Sequence, residues 1–353
     1  MEGALGELRA AVMAAHRERQ PLRLCGAGTK DFYGERCEGA PLDLTGYRGV
    51  AEYEPSELVL TARCGTPLSE IEALLAQHRQ FLAFEPPSLG GDPTIGGVIA
   101  AGLSGPRRAH AGAARDFVLG AVLLAVDGEA LHFGGKVMKN VAGFDVSRLL
   151  CGSLGILGPI LEVSLKVMPQ PREEQTLRFE LSEAAALEAF NRWAGQPLPV
   201  SASAWWNGVA YLRLSGAPAA LRAARTRLGG ETLAPAAAAE WWRELRSQRH
   251  TLFGAAPNLW RLSVPSSAAP LALAGAQLIE WGGALRWYAG ELPASDVRRL
   301  AAGAGGTALH WQGGAAGSRF HPLAAPVLTL HRRLKERFDP HGIFNPSRLV
   351  AGL

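Results

Sequence analysis

Three short glycine-rich stretches carry the residue types that could hold a phosphate or a planar cofactor. The first, Gly26-Ala27-Gly28-Thr29-Lys30, follows an alternating apolar stretch at Leu22-Arg23-Leu24. Consecutive backbone N–H groups in such a turn can converge on an anion with no helix behind them, and Thr29 adds a hydroxyl donor. Lys30 either adds a positive charge there or faces solvent. The second stretch, Thr94-Ile95-Gly96-Gly97, sets a hydroxyl beside side-chain-free backbone. The third, Gly152-Ser153-Leu154-Gly155-Ile156-Leu157-Gly158, lets backbone approach the edge of a planar ring. Each alone reads equally well as a tight turn. Together, with buried strands between them, they favour a binding site over ordinary loops.

Two familiar phosphate-binding patterns fail on context. A dinucleotide fingerprint needs a strand before GxGxxG and a helix after it. Here Asp31 stands at the third glycine position, and Phe32-Tyr33-Gly34-Glu35-Arg36 starts no helix. No helix N-terminus is therefore offered to a pyrophosphate. Gly134-Gly135-Lys136 lacks both the first glycine and the following Ser or Thr of a P-loop. Cys25, Cys37, Cys64 and Cys151 have no CxxC spacing and no HxH or HExxH occurs, so no metal site is expected.

The elements around these stretches are α+β in order, without regular βαβ alternation. Leu5, Leu8, Val12 and Ala15 recur at helical spacing, so Leu5 to Arg19 is predicted helical. Strands are predicted at Leu42–Leu44, Glu57–Ala62, Val118–Val126, Ala130–Phe133 and Ile160–Val167, with Asp127-Gly128 as a hairpin turn. Thr66-Pro67 reads as a threonine N-cap with proline in the first turn of a helix. Residues 86–112 form a long Gly-, Pro- and Ser-rich loop, whose apolar end at Val98 to Leu103 argues for burial and function. Beyond Pro171, Glu173–Leu181 and Val209–Leu214 read as strands. Ser182–Trp193, Ala217–Leu228 and Ala236–Arg249 read as helices. Ala301 to Gly317 reads as a loose loop, and a final helix runs through Arg337.

Composition divides the chain at about the same place. Its 353 residues, 48% of them hydrophobic and 19% charged, suit two folded domains. Residues 1–170 hold 16 Lys and Arg against 19 Asp and Glu, a net of −3; residues 171–353 hold 20 against 13, a net of +7. The positive residues of the second part are scattered, which argues against nucleic acid. Only His331-Arg332-Arg333-Leu334-Lys335-Glu336-Arg337 forms a run, and it reads as a solvated helix face. All nine tryptophans lie between Trp193 and Trp311, as aromatic core or as a partner surface. No secretory signal or membrane-length apolar run is found, so the cytoplasm is expected.

The same residues resemble the flavin domain of the vanillyl-alcohol-oxidase or PCMH superfamily. The matching stretches are Cys25 to Lys30, Asp92 to Gly97, Ser104-Gly105-Pro106-Arg107-Arg108 and Arg115 to Gly120. Within that superfamily the chain is similar to the E-subunit family of glycolate oxidase complexes. The most specific part of this likeness is Gly134-Gly135-Lys136-Val137-Met138-Lys139-Asn140-Val141-Ala142-Gly143-Phe144-Asp145, continued by Cys151 to Gly158. Phe338-Asp339-Pro340-His341-Gly342-Ile343-Phe344-Asn345-Pro346 also fits. The likeness covers roughly residues 20–170 and the last twenty.

The resemblance implies an extended FAD with its diphosphate over Gly26, Ala27, Gly28 and Thr29. Cys25, Lys30, Gly34, Pro87, Ser88, Thr94, Ile95, Gly96, Gly97, Ser104 and Gly105 would continue around the cofactor. Gly155, Ile156, Gly158 and Ile160 would line it near the flavin ring, and Asn345 would return from the C-terminus. The first loop has no histidine, so non-covalent binding is implied. Ala111 and Ser347 depart from the usual aromatic residue and glycine. The implied organisation is a two-subdomain PCMH-type FAD domain at 1–170 and a smaller α+β cap or partner domain at 171–320. A segment at 321–353 would pack back on the first domain. The implied partners are D-like (FAD) and F-like (iron–sulfur) subunits, through which the inner membrane could be reached. Glycolate would become glyoxylate, with electrons passing to the iron–sulfur partner.

Catalytic residues stay unassigned. Oxidising a 2-hydroxy acid needs a base, a carboxylate holder and a flavin. The HxGDGNxH-type cluster of catalytic relatives is missing, and His310 and His321 are isolated. His110, Arg107, Arg108 and Arg115 are the candidates near the flavin segments, each equally at home on a surface. The alternatives are a self-sufficient 2-hydroxy-acid dehydrogenase of D-lactate type and a structural subunit with a vestigial pocket.

Overall fold

Alternation of apolar and polar residues produces two antiparallel sheets, each in its own unit of the chain. The structure, a computed structural model, describes residues 2–135, 145–255, 258–314 and 317–353. Residues 136–144, the heart of the Gly134–Asp145 run, lie outside the described residues. Packing divides the chain into one unit of Met1–Leu103, Ala113–Pro169 and Pro322–Leu353, and a second of Ser104–Gly112 and Gln170–His321.

In the first unit five strands run Val50–Glu54, Val59–Arg63, Ile160–Lys166, Val118–Leu124 and Ala130–Gly134 across one antiparallel sheet. The predicted hairpin at Asp127-Gly128 joins the last two, with Leu124 opposite Ala130. A separate parallel pair, Leu22–Cys25 beside Ala40–Asp43, carries the first glycine loop at its end. The helix Glu2–Glu18 buries Leu8, Val12 and Ala15 against a core that includes Leu22, Leu42, Ile343 and Phe344. The predicted helical face is thus the buried one.

The C-terminal segment is stitched into this core. Leu22 N–H donates to Ile343 C=O at 2.7 Å, and Asn345 N–H donates to Leu22 C=O at 2.9 Å. At the end of the helix Ala325–Phe338, the Lys335 ammonium is 5% exposed. It donates to Ile156 C=O at 2.7 Å, Phe344 C=O at 2.6 Å and Asp339 Oδ2 at 2.7 Å. Asp339 in turn accepts from Ile343 N–H at 3.0 Å and Phe344 N–H at 2.7 Å. Burial pushes the Lys335 pKa down, against the Asp339 carboxylate that holds it up. One member of the basic run is therefore a core residue, which charge patterning does not reveal.

The second unit is an eight-stranded antiparallel sheet. Its order is Glu231–Thr232, Glu173–Glu180, Val209–Gly216, Val200–Trp206, Ala276–Glu280, Leu285–Ala289, Leu259–Ser263 and Thr307–Gln312. Ser182 caps the helix Glu183–Ala194 by accepting from Ala185 N–H at 3.3 Å, as predicted. None of the nine tryptophans is exposed: six are buried in the core, and Trp205, Trp206 and Trp241 are half-buried.

Three local expectations are corrected. Ala301 to Gly317 is not a loose loop: it holds the end of the helix Ala294–Gly303 and the strand Thr307–Gln312. Alanine is the best helix former, and sheet pairing overrides weak local preference in the strand. Thr66 does not cap the helix Leu68–Gln77; its hydroxyl donates to Arg63 C=O at 2.7 Å and accepts from Gly49 N–H at 2.8 Å. The 86–112 loop is interrupted by the helix Ile95–Ala101, capped by Thr94.

Replacing Lys335 by Met strands Asp339 in the core and should cost about 3–5 kcal/mol of stability in urea unfolding. Arg332→Met, in the same run but exposed, should stay within about 0.5 kcal/mol.

Candidate functional site

The glycine stretches are tied to one another by close approaches and by backbone hydrogen bonds. A Cβ on Gly26 would stand 2.6 Å from Thr94 Oγ1, so the first loop reaches the second stretch only as glycine. The last carbonyls of the helix Ile95–Ala101 can accept bonds from outside the helix. Two of them accept from the third stretch: Gly152 N–H donates to Ile99 C=O at 3.0 Å, and Leu154 N–H to Ala100 C=O at 2.8 Å. Asn345 then closes the circuit. Its Oδ1 accepts from Leu24 N–H at 2.7 Å, beside the first loop, while its Nδ2 donates to Leu154 C=O at 2.7 Å. Gly155 has φ +74°, and a Cβ there would lie 2.7 Å from Asn345 Nδ2. Both its backbone angle and its neighbour require glycine.

A further clamp holds the first loop. Arg348 donates to the carbonyls of Lys30 at 3.1 Å, Asp31 at 2.8 Å and Glu35 at 3.1 Å. With those carbonyls tied back by the guanidinium, the loop's conformation is set by residues more than 300 positions away. Gly34 sits under the same segment, and a Cβ on it would meet Arg348 C=O at 2.8 Å. Arg348 was not among the expected site residues, and no local pattern in the sequence marks it.

Lys30 is the electrostatic centre of this region. Its ammonium is half-buried and touches Thr29 Oγ1 at 3.3 Å. Among the described residues it forms no ion pair. Burial alone lowers its pKa to about 8. A half-buried cation that has no ion-pair partner among the described residues is complementary to an anion supplied from outside. The diphosphate of FAD has that charge, so the loop's chemistry fits the group the sequence implies.

The structure brings most of the expected residues into one unit and leaves two outside it. Gly26, Ala27, Gly28, Thr29, Lys30 and Gly34 form a single loop after Cys25, whose thiol faces its own strand at Arg23 C=O, 3.2 Å away. Pro87 is buried and Ser88 half-buried in the approach to Thr94. The side chains of Ile95, Ile156 and Ile160 are buried in the core, and Gly158 lies against Leu124 C=O. These positions offer backbone more than side chain. Ser104 and Gly105 belong to the second unit, where Gly105 C=O accepts from Trp281 Nε1 at 3.0 Å. Their neighbour Arg107 is 8% exposed and pairs with Glu174 in that unit. Arg108 stacks over Trp281 at 4.4 Å, and Arg115 is exposed beside Asp116. His110 is exposed, with its pKa lowered by desolvation and by Arg107 and Arg213.

Comparison with known proteins points the same way. A family profile described as an FAD binding domain matches residues 4–134. The chain is 44% identical over 342 residues to glycolate oxidase subunit GlcE of Escherichia coli (strain K12), spanning 97% of this chain and 96% of that one. Identity is 31% over 189 residues with glycolate oxidase subunit GlcD of Bacillus subtilis (strain 168), spanning 52% of this chain and 40% of that protein. A solved alkyldihydroxyacetonephosphate synthase superposes at TM-score 0.68 with 16% identity, over 97% of this chain and 74% of its own, a likeness of fold alone.

Replacing Asn345 by Ala leaves Leu24 N–H and Leu154 C=O without their partner. The expected cost is about 1–3 kcal/mol in urea unfolding of the FAD-free protein. A loss seen only with FAD present would show that Asn345 acts on the cofactor rather than on the frame.

Proposed function

The chain belongs to the family of glycolate oxidase subunit GlcE, and on that premise we propose that it is the FAD-binding subunit of a glycolate-oxidising complex. The observation that carries the reading is the half-buried Lys30 ammonium, with no ion pair among the described residues, in a loop that Arg348 holds and whose preceding strand Asn345 holds. Gly26 to Thr29 present backbone N–H groups to the diphosphate, and Lys30 supplies the opposing charge. Thr94, Gly96 and Gly97 continue the wall, with Pro87 and Ser88 on the approach. Gly155 and Ile156 present backbone toward the ring system, with Gly158 and Ile160 behind them. When bound, FAD supplies the acceptor for a hydride from a 2-hydroxy acid.

The chain's own residues bind and orient; the proton-transfer group is left to the assembled complex. Its partners are a D-like flavin subunit and an F-like iron–sulfur subunit, which receives the electrons. Among the described residues no helix is long and apolar enough to cross a membrane. We place the chain in the cytoplasm, with any hold on the inner membrane supplied by the partners.

Titration with FAD should quench flavin fluorescence at one site per chain. A chain that takes up no flavin at any concentration would remove this reading. Lys30→Met should weaken FAD by about 1.5–3 kcal/mol, roughly ten- to hundredfold in Kd. The pH dependence has a definite sign. In the empty site Lys30 holds its proton below about 8 and loses it above. The diphosphate prefers the ammonium, so Kd should be flat below that pH and rise above it. Lys30→Met should abolish the rise.

A further inference from the structure

The C-terminal helix Ala325–Phe338 buries one residue, Lys335, and turns an apolar stripe to the outside. Six large hydrophobic side chains are exposed among the described residues: Met13 48%, Phe32 38%, Leu149 43%, Leu323 37%, Val327 40% and Leu330 63%. Two of the six, Val327 and Leu330, lie one turn apart on this helix, and Leu330 is the most exposed; Leu323 stands just before the helix begins. A spacing of three puts both side chains on one side of a helix, as anchors for a groove are. At about 100° per residue, Val327 stands roughly 60° to one side of Leu330. Arg333 stands roughly 60° to the other side, with Arg337 roughly 20° from the line of Leu330.

Arg333 and Arg337 are exposed, and among the described residues the helix makes its only ion pair through buried Lys335. The one glutamate, Glu336, lies roughly 120° from Leu330, away from the stripe. An aliphatic line with arginines along one edge calls for an apolar floor with carboxylates along its rim.

Resting on the assembly assigned above, we propose that this face docks into an acidic-rimmed apolar groove on another protein subunit of the complex. The charge pattern disfavours a second copy of the chain, because the face carries no carboxylate to meet its own arginines. A lipid surface is disfavoured by the short stripe and by the lack of an exposed aromatic anchor, which interfacial helices use. The tryptophans of the second unit, the other candidate surface, offer no exposed side chain: six are buried and three half-buried.

The test co-expresses the tagged full-length chain with its D-like and F-like subunits and measures how much of each is retained. Leu330→Glu should reduce retention of one subunit at least tenfold, and Arg333→Glu with Arg337→Glu should do the same. Retention by the unaltered chain should fall as salt rises. Met13→Glu, an exposed apolar position on the opening helix, should leave retention unchanged, and all variants should keep FAD and melting temperature. Equal retention by Leu330→Glu and the unaltered chain overturns the docking face. So does a Leu330-dependent dimer in sedimentation, or Leu330-dependent binding to phosphatidylglycerol vesicles, with subunit retention intact. If the unaltered chain retains neither subunit, the assembly reading itself falls, and the docking face with it.

Discussion

A single ammonium group holds the C-terminal tail against the glycine loops. Lys335 gives its three protons to Ile156 C=O, Phe344 C=O and Asp339, joining a helix end, a glycine stretch and the returning tail. Such a group gains little net energy from burial, because the desolvation cost offsets most of the attraction. Its contribution is directional: one register satisfies all three acceptors. That register carries Asn345 to Leu24 and Leu154, and the same tail continues to Arg348 at the first loop. The geometry around Lys30 is thus inherited from contacts made well away from it.

The loop that would meet the diphosphate takes part of its shape from outside itself. Arg348 ties back three of its carbonyls, and Gly26 and Gly34 are placed by close approach to Thr94 and to the tail. A loop shaped from outside is preorganised, so less ordering entropy is lost when an anion arrives. The uncompensated charge of Lys30 is the counterpart of that arrangement. It disfavours the empty site and favours the filled one.

Features decided by neighbours in sequence were legible before the fold was known. The Asp127-Gly128 hairpin, the Ser182 cap and the buried face Leu8, Val12 and Ala15 depend on local chemistry or on short periods. Thr66, by contrast, has a hydroxyl that suits a cap, yet Arg63 and Gly49 claim it. Ala301 to Gly317 looked unstructured because its strand is specified by the neighbour Leu259–Ser263 rather than by its own residues. The glycine stretches themselves were legible as backbone-donating segments. Lys335 and Arg348 were not: Ile156 lies 179 residues from Lys335, the carbonyls that Arg348 holds lie more than 300 away, and a basic side chain carries no sign of which way it points.

The path of the chain between its two units has a consequence for how such a protein can be taken apart. Ser104–Gly112 leaves the first unit for the second and returns, and the chain crosses again after Pro169 and before Pro322. No single cut separates the units. A fragment ending at Pro169 would keep all three glycine stretches yet lose Lys335, Asn345 and Arg348. In evolutionary terms the flavin-type half is not a cassette: it cannot be fused, swapped or duplicated by one recombination event without a second insertion to restore its tail.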